Sequence, residues 1–335
     1  MEAEALEAPA ATACILSTNR AAIAELGKRL RAHPPAVAVT VARGSSDHAA
    51  TYAKYLIETL TGTPTASAAP SIASVYGAAP RAPGGRLCLT ISQSGRSPDL
   101  IAAVERQRAA GALVVALINA PETPLAAIAD IVIALEAGPE RAVAATKSFI
   151  ASLAALAALA AEWSGDAGLE AAMGGLPETL EAAAQLDWTP AVDVLRDARS
   201  LFVLGRGYGL GTAQEAALKL KEAAGLHAEA LSAAEVRHGP MALIGPGFPV
   251  LAFGGSGPAG ASVREAAAEF RARGARVVLA DPDHTLTDLP ALAAHPTLEP
   301  IAMIQSFYPL ASRLALARGR NPDAPPHLSK VTETI

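Results

Sequence analysis

Cysteine and metal-binding patterns are scarce in this sequence. Only two cysteines, Cys14 and Cys88, occur among 335 residues, and neither belongs to a C-x-x-C pair. This excludes a disulfide framework and a thiolate zinc site. The seven histidines form neither an H-E-x-x-H nor an H-x-H pattern, so we expect no bound metal and no other cofactor. Cys88 lies in the apolar segment 86–91, which predicts that it packs in the core.

Long apolar runs and an excess of basic charge are also missing. The longest apolar run, 149–161, is shorter than the roughly 20 residues that span a bilayer, and we expect a buried helix there. The opening sequence MEAE lacks the basic and apolar regions of a signal peptide, which favours a cytoplasmic protein. A net charge of −5 gives no basic surface typical of nucleic-acid binding. We therefore expect neither a membrane nor a nucleic acid as a partner.

Alanine-rich apolar segments make up much of what is present. Hydrophobic residues account for 51% and charged residues for 18% of the chain, which excludes global disorder and allows a substantial core. Short runs typical of strands alternate with longer runs typical of helices, so we predict an α/β fold with parallel sheets flanked by helices. The predicted strands are 36–42, 87–91, 113–118, 201–204, 250–253 and 276–280, and the predicted helices are 47–60, 98–110, 213–224 and 261–273.

The two halves of the chain repeat one order of landmarks. Three glycine-containing features recur 163, 162 and 163 positions apart, which favours a duplicated α/β unit over chance. We predict domains at 20–185 and 186–320, with a helical joining segment at 160–189. An irregular tail at 321–335 follows, because its prolines prevent a helix. The matching features are Arg43-Gly44 with Arg206-Gly207, Ser94-Gly95 with Ser256-Gly257, and Gly111 with Gly274.

Two serine-rich turns follow neighbouring predicted strands of the first half. Residues 92–97 have the sequence SQSGRS, and Ser45 and Ser46 come directly after Gly44. Backbone N–H groups at a helix N-terminus and serine hydroxyls are good donors to a phosphate group. Because the carboxyl ends of parallel strands share one edge of a sheet, we expect both turns at the same ligand-binding edge. The alternative is ordinary N-capping of two helices.

Three charged residues are spaced to share one face of a predicted helix in the second half. Glu215, Lys219 and Glu222 are four and three positions apart. The rest of this helix is mostly apolar, and charges that are buried in such a setting are frequently functional because burial shifts their pKa. The alternative is a solvated stripe of salt bridges.

Two further residues are candidates for proton transfer and covalent chemistry. His238 precedes a Gly-Pro pair in a predicted turn, and histidine is the natural proton carrier near pH 7. Lys330 lies in the proline-rich tail, where a lysine folded into an active site could form a Schiff base with a carbonyl group. Taken alone, a loop histidine is more often incidental, and a lysine near a terminus is more often a solvated surface charge.

These clusters occur together, in one order, in the sugar isomerase (SIS) family. The chain resembles the isomerase half of glucosamine-6-phosphate synthase, which is a pair of SIS domains, and the resemblance covers essentially the whole chain. It implies two tandem SIS domains, each a parallel sheet flanked by helices. The matching segments are SQSGRS at 92–97, VAATK at 143–147, LGRG at 204–207, EAALKLKE at 215–222, HAEA at 227–230, HGP at 238–240 and LSK at 328–330.

The resemblance implies roles for individual residues. Glu222 is similar to the acid/base that moves a proton between C1 and C2, and His238 to the histidine that opens the sugar ring across a dimer interface. Lys330 is similar to the lysine that forms a Schiff base with the ketose. Glu215 and Lys219 are similar to sugar-contacting or proton-relaying residues. The residues implied in substrate binding are Ser45, Ser46, Ser92, Gln93, Ser94, Ser97, Val143 and Ala145.

Departures from the synthase pattern shape the functional expectation. Pro326 stands where the synthase tail has an arginine, and Ala145 stands where the synthase site has a serine. The second residue is Glu2, and the glutaminase domain with its cysteine nucleophile is missing from this sequence. We therefore expect a homodimeric glucosamine-6-phosphate deaminase with shared active sites, whose substrate is a phosphorylated amino sugar and whose products are fructose 6-phosphate and ammonia. The alternatives are a galactosamine-6-phosphate deaminase, a fructosamine-6-phosphate deglycase and a non-enzymatic phosphosugar sensor.

Overall fold

The computed structural model describes residues 1–80, 85–120, 122–283 and 287–330, and the chain divides into two compact units. The domain boundaries expected at 20–185, 186–320 and 321–335 stay a prediction, and residues 331–335 of the tail lie outside the described residues. The first unit comprises Ala10–Glu140, Ala151–Met173 and Ser329–Ile335, and the second unit comprises Met1–Pro9, Arg141–Ile150 and Gly174–Leu328.

Helices and strands alternate along the described chain. The helices are α1 (Glu2–Leu6), α2 (Ala8–Thr18), α3 (Arg20–Ala32), α4 (Ser45–Thr61), α5 (Pro70–Ser74), α6 (Pro98–Ala109), α7 (Pro124–Ala127), α8 (Lys147–Ser164), α9 (Ala167–Met173), α10 (Leu176–Ala184), α11 (Pro190–Leu195), α12 (Gly209–Glu222), α13 (Gly257–Ala272) and α14 (Glu299–Ala317). The strands are β1 (Val37–Val41), β2 (Thr65–Ser67), β3 (Arg86–Ser92), β4 (Leu113–Ile118), β5 (Ile131–Ala134), β6 (Ser200–Gly205), β7 (His227–Ser232), β8 (Pro249–Phe253), β9 (Arg276–Asp281) and β10 (Leu289–Pro290).

The first unit contains a five-stranded, fully parallel sheet in the order β2-β1-β3-β4-β5. Its central strands are apolar and buried on both faces, as expected where helices cover both sides of a parallel sheet. Leu100 and Val104 of α6 pack against Cys88 of β3 and Val114 of β4. Burial raises the pKa of the Cys88 thiol to about 12, which agrees with its predicted place in the core.

The second unit contains another parallel sheet, in the order β10-β9-β8-β6-β7. Numbered within each unit, both sheets have the same strand order, 2-1-3-4-5. Val263 and Phe270 of α13 pack against Val250 of β8 and Leu279 of β9, as α6 packs in the first unit. The predicted α/β fold with parallel sheets is confirmed, and the shared strand order agrees with the duplication inferred from the glycine spacing.

All ten predicted strands and helices of the two repeats are present, with ends shifted by a few residues. The sequence analysis missed α1–α3, the short helices α5, α7 and α11, the short or edge strands β2, β5, β7 and β10, and the long helix α14. Helix α14 has a proline, Pro309, inside it and is buried almost along its whole length, so its apolar residues show no single face. The predicted buried helix at 149–161 is α8. Nowhere in the described part of the chain is a helix both long and apolar enough to cross a bilayer.

The strand order determines where each unit offers a crevice. In the first sheet, β1 and β3 are neighbours, but the chain continues from β1 to the edge strand β2 and from β3 in the opposite direction along the sheet, to β4. Loops that diverge in this way leave a crevice outside the carboxyl ends of the two strands, which is where ligands bind in open parallel sheets. The corresponding crevice of the second sheet lies at the ends of β6 and β8.

Candidate functional site

The first serine-rich turn lies at the carboxyl end of β3. Ser92 is buried at the last position of the strand, and its hydroxyl accepts a hydrogen bond from the Gly95 N–H at 3.0 Å. Gly95 has a φ of 63°, which a glycine adopts without strain, and Thr123 packs directly beneath it. Ser94 is half-buried, and its hydroxyl accepts from the Arg96 N–H at 3.4 Å. Helix α6 begins immediately after Ser97, so this turn leads into a helix N-terminus.

The second serine-rich turn lies at the carboxyl end of the neighbouring strand β1. Gly44, with a φ of 54°, ends this turn, and Ser45 and Ser46 form the first turn of α4. Arg43 joins the two turns, because its guanidinium donates to one carboxylate oxygen of the buried Asp99 at 2.7 and 3.0 Å. The six predicted binding residues Ser45, Ser46, Ser92, Gln93, Ser94 and Ser97 therefore lie on two adjacent turns at one sheet edge, which we call the serine cradle.

The structure also bears on the N-capping alternative for these serines. Ser97 before α6 makes no side-chain capping bond, and the residue before α4 is Gly44, which has no side chain. By contrast, Thr123 of the same unit does cap its helix, since its hydroxyl accepts from the Ala126 N–H. The Ser97 hydroxyl is thus not engaged as the cap of α6. Two helix N-termini with such hydroxyls are suited to an anionic group.

The three charged residues of the second unit form a buried cluster on α12. Glu215 and Lys219 are almost fully buried, whereas the Glu222 side chain keeps 21% of its surface exposed. The Lys219 Nζ atom donates to Glu222 Oε2 at 2.6 Å and lies 3.3 Å from Glu215 Oε1. The Tyr308 hydroxyl donates to the same Glu215 oxygen at 3.3 Å. The alternative of a solvated stripe of salt bridges is therefore wrong, because two of the three side chains have no access to solvent.

The charge state of Lys219 follows from its surroundings. Burial by itself lowers the pKa of a lysine, but Glu215 and Glu222 favour the ammonium form more strongly. The pKa of Lys219 is raised as a result. Lys219 is therefore a permanent cation near neutral pH and a hydrogen-bond donor to both carboxylates. It holds the Glu222 carboxylate in place, and Glu222 is the member of the cluster that a solute can reach.

The remaining predicted residues of the second unit lie on loops. His238 follows a short 3₁₀ turn at Glu235–Arg237, and its side chain is exposed. Val143 and Ala145 are half-buried in the segment 141–147. Two carboxylates near the start of the chain anchor this segment, since Glu4 accepts backbone N–H groups just before Val143 and Glu7 forms an ion pair with the buried Lys147.

Lys330 has a defined partner within the first unit. Its Nζ atom lies 3.3 Å from Oε2 of Glu140, whose side chain is fully buried, while the Lys330 side chain is 25% exposed. A solvated terminal charge does not describe this arrangement. Glu140 is a residue that the sequence reading missed, and so are Tyr308 and the anchoring pair Glu4 and Glu7. No motif or spacing in the sequence singles them out, because each lies far along the chain from its partner.

The observed features define a class of protein. The chain contains two parallel α/β units of identical strand order, with a phosphate-suited serine cradle in one and a buried carboxylate–lysine cluster in the other. The family model of the SIS domain matches residues 37–162 and 194–289. The chain belongs to the SIS domain family, as the sequence resemblance indicated.

Known proteins similar to this chain fall in the same group. Glutamine–fructose-6-phosphate aminotransferase [isomerizing] of Aeropyrum pernix is 35% identical over 311 residues, which cover 87% of this chain and 50% of the relative. The chain thus spans about half the length of the curated relatives it matches. The crystal structure of a candidate phosphosugar isomerase from Silicibacter pomeroyi has 43% identity and a TM-score of 0.90, covering 96% of this chain and 99% of that one. Glucosamine-6-phosphate deaminase of Thermotoga maritima, at 22% identity, a TM-score of 0.74 and coverage of 97% and 100%, shares the fold.

Proposed function

We propose that the protein is an amino-sugar-phosphate isomerase that releases ammonia, converting glucosamine 6-phosphate and water to fructose 6-phosphate and ammonia. The observation that carries this proposal is the cluster on α12, where a buried, charged lysine fixes the reachable carboxylate of Glu222. Aldose–ketose isomerisation needs one base that removes a proton from C2 and returns it to C1. A positioned carboxylate of this kind accounts for about 10²–10⁴-fold of such a rate.

The serine cradle supplies the binding of the phosphate group. Its two turns present serine hydroxyls, the Gln93 amide and the N-termini of α4 and α6, all of which can donate to phosphate oxygens. An open-chain sugar has many rotatable bonds, and anchoring one end reduces the freedom that must be lost before C1 and C2 react. The cradle thus determines the class of substrate, and the base determines the reaction.

His238 is assigned to the opening of the sugar ring. The ring opens when a proton leaves the C1 hydroxyl and another reaches the ring oxygen, and a histidine can carry both near neutral pH. The exposed position of His238 in its own protomer supports the proposal that it acts in the site of a partner subunit. Glu222 then moves the C2 proton to C1, which leaves an imine at C2.

Lys330 and Glu140 are assigned to the release of ammonia. Glu140, at 3.3 Å, can accept a proton from the Lys330 ammonium group, and the free amine attacks C2 of the imine. The attack forms a C2–N bond to lysine and opens the C=N double bond, so that C2 carries both nitrogens. The bond to the substrate nitrogen then breaks as Glu140 returns its proton, ammonia leaves, and a lysine imine remains at C2. Water then adds to the lysine imine and releases fructose 6-phosphate and the free amine.

The first experiment is an assay of ammonia release. Purified protein is incubated with glucosamine 6-phosphate without glutamine, and ammonia and fructose 6-phosphate are each measured by coupled enzymes. We expect both products in equal amounts. Galactosamine 6-phosphate and fructosamine 6-phosphate are run in parallel, and turnover of one of these alone would assign the rival deaminase or deglycase activity. Binding of the sugar phosphates without any turnover would indicate a sensor and contradict the enzyme proposal.

The second experiment traps the lysine adduct. Borohydride reduces a lysine–ketose imine to a stable secondary amine, so incubation with fructose 6-phosphate and borohydride should add the sugar phosphate to the peptide that contains Lys330. The Lys330→Ala variant should show no adduct and lose turnover. The Lys28→Ala variant changes an exposed lysine of the same unit and should behave as the wild type. An adduct on another lysine would refute the assignment.

A third experiment addresses the proposed sharing of sites in a homodimer. The variants His238→Ala and Glu222→Gln are each expected to be inactive, and mixed dimers contain one site that has both native residues. Mixing the two under conditions of subunit exchange should therefore restore part of the activity. No recovery after exchange, verified with differently tagged chains, would place His238 in the site of its own protomer.

A further inference from the structure

The second unit has its own counterpart of the serine cradle. Ser256 and Gly257 follow β8 as Ser94 and Gly95 follow β3, 162 positions earlier in the chain. Gly257 has a φ of 79°, and Gly95 has a φ of 63°. Both turns therefore contain a left-handed backbone conformation that favours glycine. Helix α13, with 16 residues, begins at Gly257. The second unit therefore places a serine and a helix N-terminus at the edge where the first unit has its cradle.

A carboxylate of the protein itself is bound at this second turn. The Ser256 N–H donates to Glu299 Oε2 at 2.7 Å, and the Ser256 hydroxyl donates to Glu299 Oε1 at 2.5 Å. Glu299 is 1% exposed and is the first residue of α14. Its two oxygens thus take one backbone and one hydroxyl donor at the N-terminus of α13, which is the arrangement that a bound anion adopts.

A second acidic side chain is buried next to the same turn. Asp281 is fully buried and paired with Arg264, whose guanidinium lies 3.0 Å from Asp281 Oδ2 and also donates to the Gly255 carbonyl at 3.1 Å. The Asp281 carboxylate packs directly on Gly254, where any Cβ would overlap it. Gly254 stands at the position of Ser92, so the serine of the first cradle could not be accommodated here.

We propose that Glu299 is the built-in occupant of a second anion site, and that it restricts the chain to one phosphate-bearing ligand, bound in the first unit. The part of this inference that concerns the first unit rests on the proposed function. Removing the Glu299 carboxylate should open an anion site at Ser256 and the N-terminus of α13, which a phosphate dianion or another small oxyanion would fill.

The experiment counts anion sites with inorganic phosphate as the probe. Isothermal titration of the folded 335-residue chain should give one phosphate per wild-type chain and two per Glu299→Ala chain. An equal count in both proteins would overturn the inference. A count of zero in the wild type and one in the variant would support it while contradicting phosphate binding by the serine cradle, so the two proposals fail separately.

A second variant, Glu299→Gln, tests the proposal if Glu299→Ala does not fold. Glu299→Gln keeps the shape of the side chain but removes its charge, so it should still fill the site and bind no additional phosphate. If an anion is required there, Glu299→Gln should lower Tm by at least about 3 °C more than Glu178→Gln. Glu178 is the matched control, because it is an exposed acid in the first turn of α10 in the same unit. Equal Tm changes in the two variants would contradict the proposal.

Discussion

The two units share one strand order but differ in the chemistry of the crevice beside their first and third strands. In the first unit that edge carries hydroxyl groups, an amide and the N-termini of α4 and α6. In the second unit the same edge is filled by Glu299, Asp281 and Arg264. The charged cluster of the second unit lies on α12, the helix that follows its first strand.

This difference indicates how a duplicated fold can divide a reaction. Neutral donors at a helix N-terminus attract an anion without carrying a net charge themselves, so the first unit suits binding. The second unit instead holds a carboxylate in a fixed position, because the buried Lys219 donates to Glu222, and this suits the proton transfer proposed for Glu222. In the proposal above, Glu299 keeps the second crevice closed to a phosphate group.

The largest expected effect comes from the base itself. Glu222→Gln should lower kcat by about 10²–10⁴-fold with little change in KM, because it removes the proton acceptor and leaves the serine cradle intact. The matched control is Glu229→Gln, an exposed glutamate on β7 of the same unit, which should leave kcat unchanged. Initial rates with glucosamine 6-phosphate measure both variants. A change in KM alone would move Glu222 from catalysis to binding.

Gly95 and Gly257 occupy equivalent positions in the two turns. Replacing each of them tests whether the two turns tolerate a larger residue equally well. Gly257→Ala should cost about 1–2 kcal/mol of local stability from its left-handed backbone, since nothing described lies within 4 Å of the added Cβ. Gly95→Ala should cost about 1–3 kcal/mol more, because its Cβ would overlap Thr123. Hydrogen exchange resolved by strand measures each unit separately. Equal losses in both variants would show that Thr123 moves aside freely.

Alkaline pH should distinguish the two sheets. The Cys88 thiol has its pKa raised by burial to about 12, so its contribution to stability is fully present below about pH 9 and is lost as pH rises toward 12. At pH 10.5 the first sheet should have lost about 2 kcal/mol of stability against unfolding. Val250 takes the corresponding place in β8 and has no ionisable group, and the pKa of Lys219 is raised in favour of its charged form. Hydrogen exchange in β3 should therefore rise with pH beyond its intrinsic dependence, whereas exchange in β8 should not.

The control for this pH effect is Cys88→Ala. The variant is less stable at every pH because it leaves a small cavity, but it has no thiol to ionise. Its exchange rates in β3 should follow the intrinsic pH dependence from pH 8 to 10.5. If the wild type and the variant show the same pH profile, ionisation of Cys88 is not the cause.

The smallest expected effect is a change in KM that distinguishes Ser94 from Ser256, the serines at equivalent positions of the two turns. Ser94→Ala should raise KM for glucosamine 6-phosphate about tenfold, since it removes one hydroxyl donor to a charged group. Ser256→Ala should leave KM unchanged and lower stability only, because its hydroxyl is bonded to Glu299. Initial rates and competition by inorganic phosphate measure the difference. A similar rise in KM for both variants would mean that both turns contact the substrate.

Much of the fold could be predicted because the sequence patterns of its central strands and helices lie within short segments of the chain. Buried parallel strands such as β3 and β4 are continuous apolar runs, and the glycines that follow strands repeat at one spacing. The edge strands and α14 could not be found in this way. Short edge strands have weak patterns, and α14 is surrounded by protein, so it lacks the single apolar face by which a surface helix is recognised.

The candidate site, like the fold, could be predicted from the sequence only in part. Glu215, Lys219 and Glu222 could be placed on one face from their spacing, and the serines could be placed at one edge from the strand order, since both follow from regular backbone geometry. The sequence by itself also determined the family, because its motifs are contiguous. Only the tertiary structure decided that Lys219 is buried and charged, that Glu140 faces Lys330, and that Glu299 occupies the second turn. These depend on contacts between residues distant in the chain and on the exclusion of water, neither of which a local pattern records.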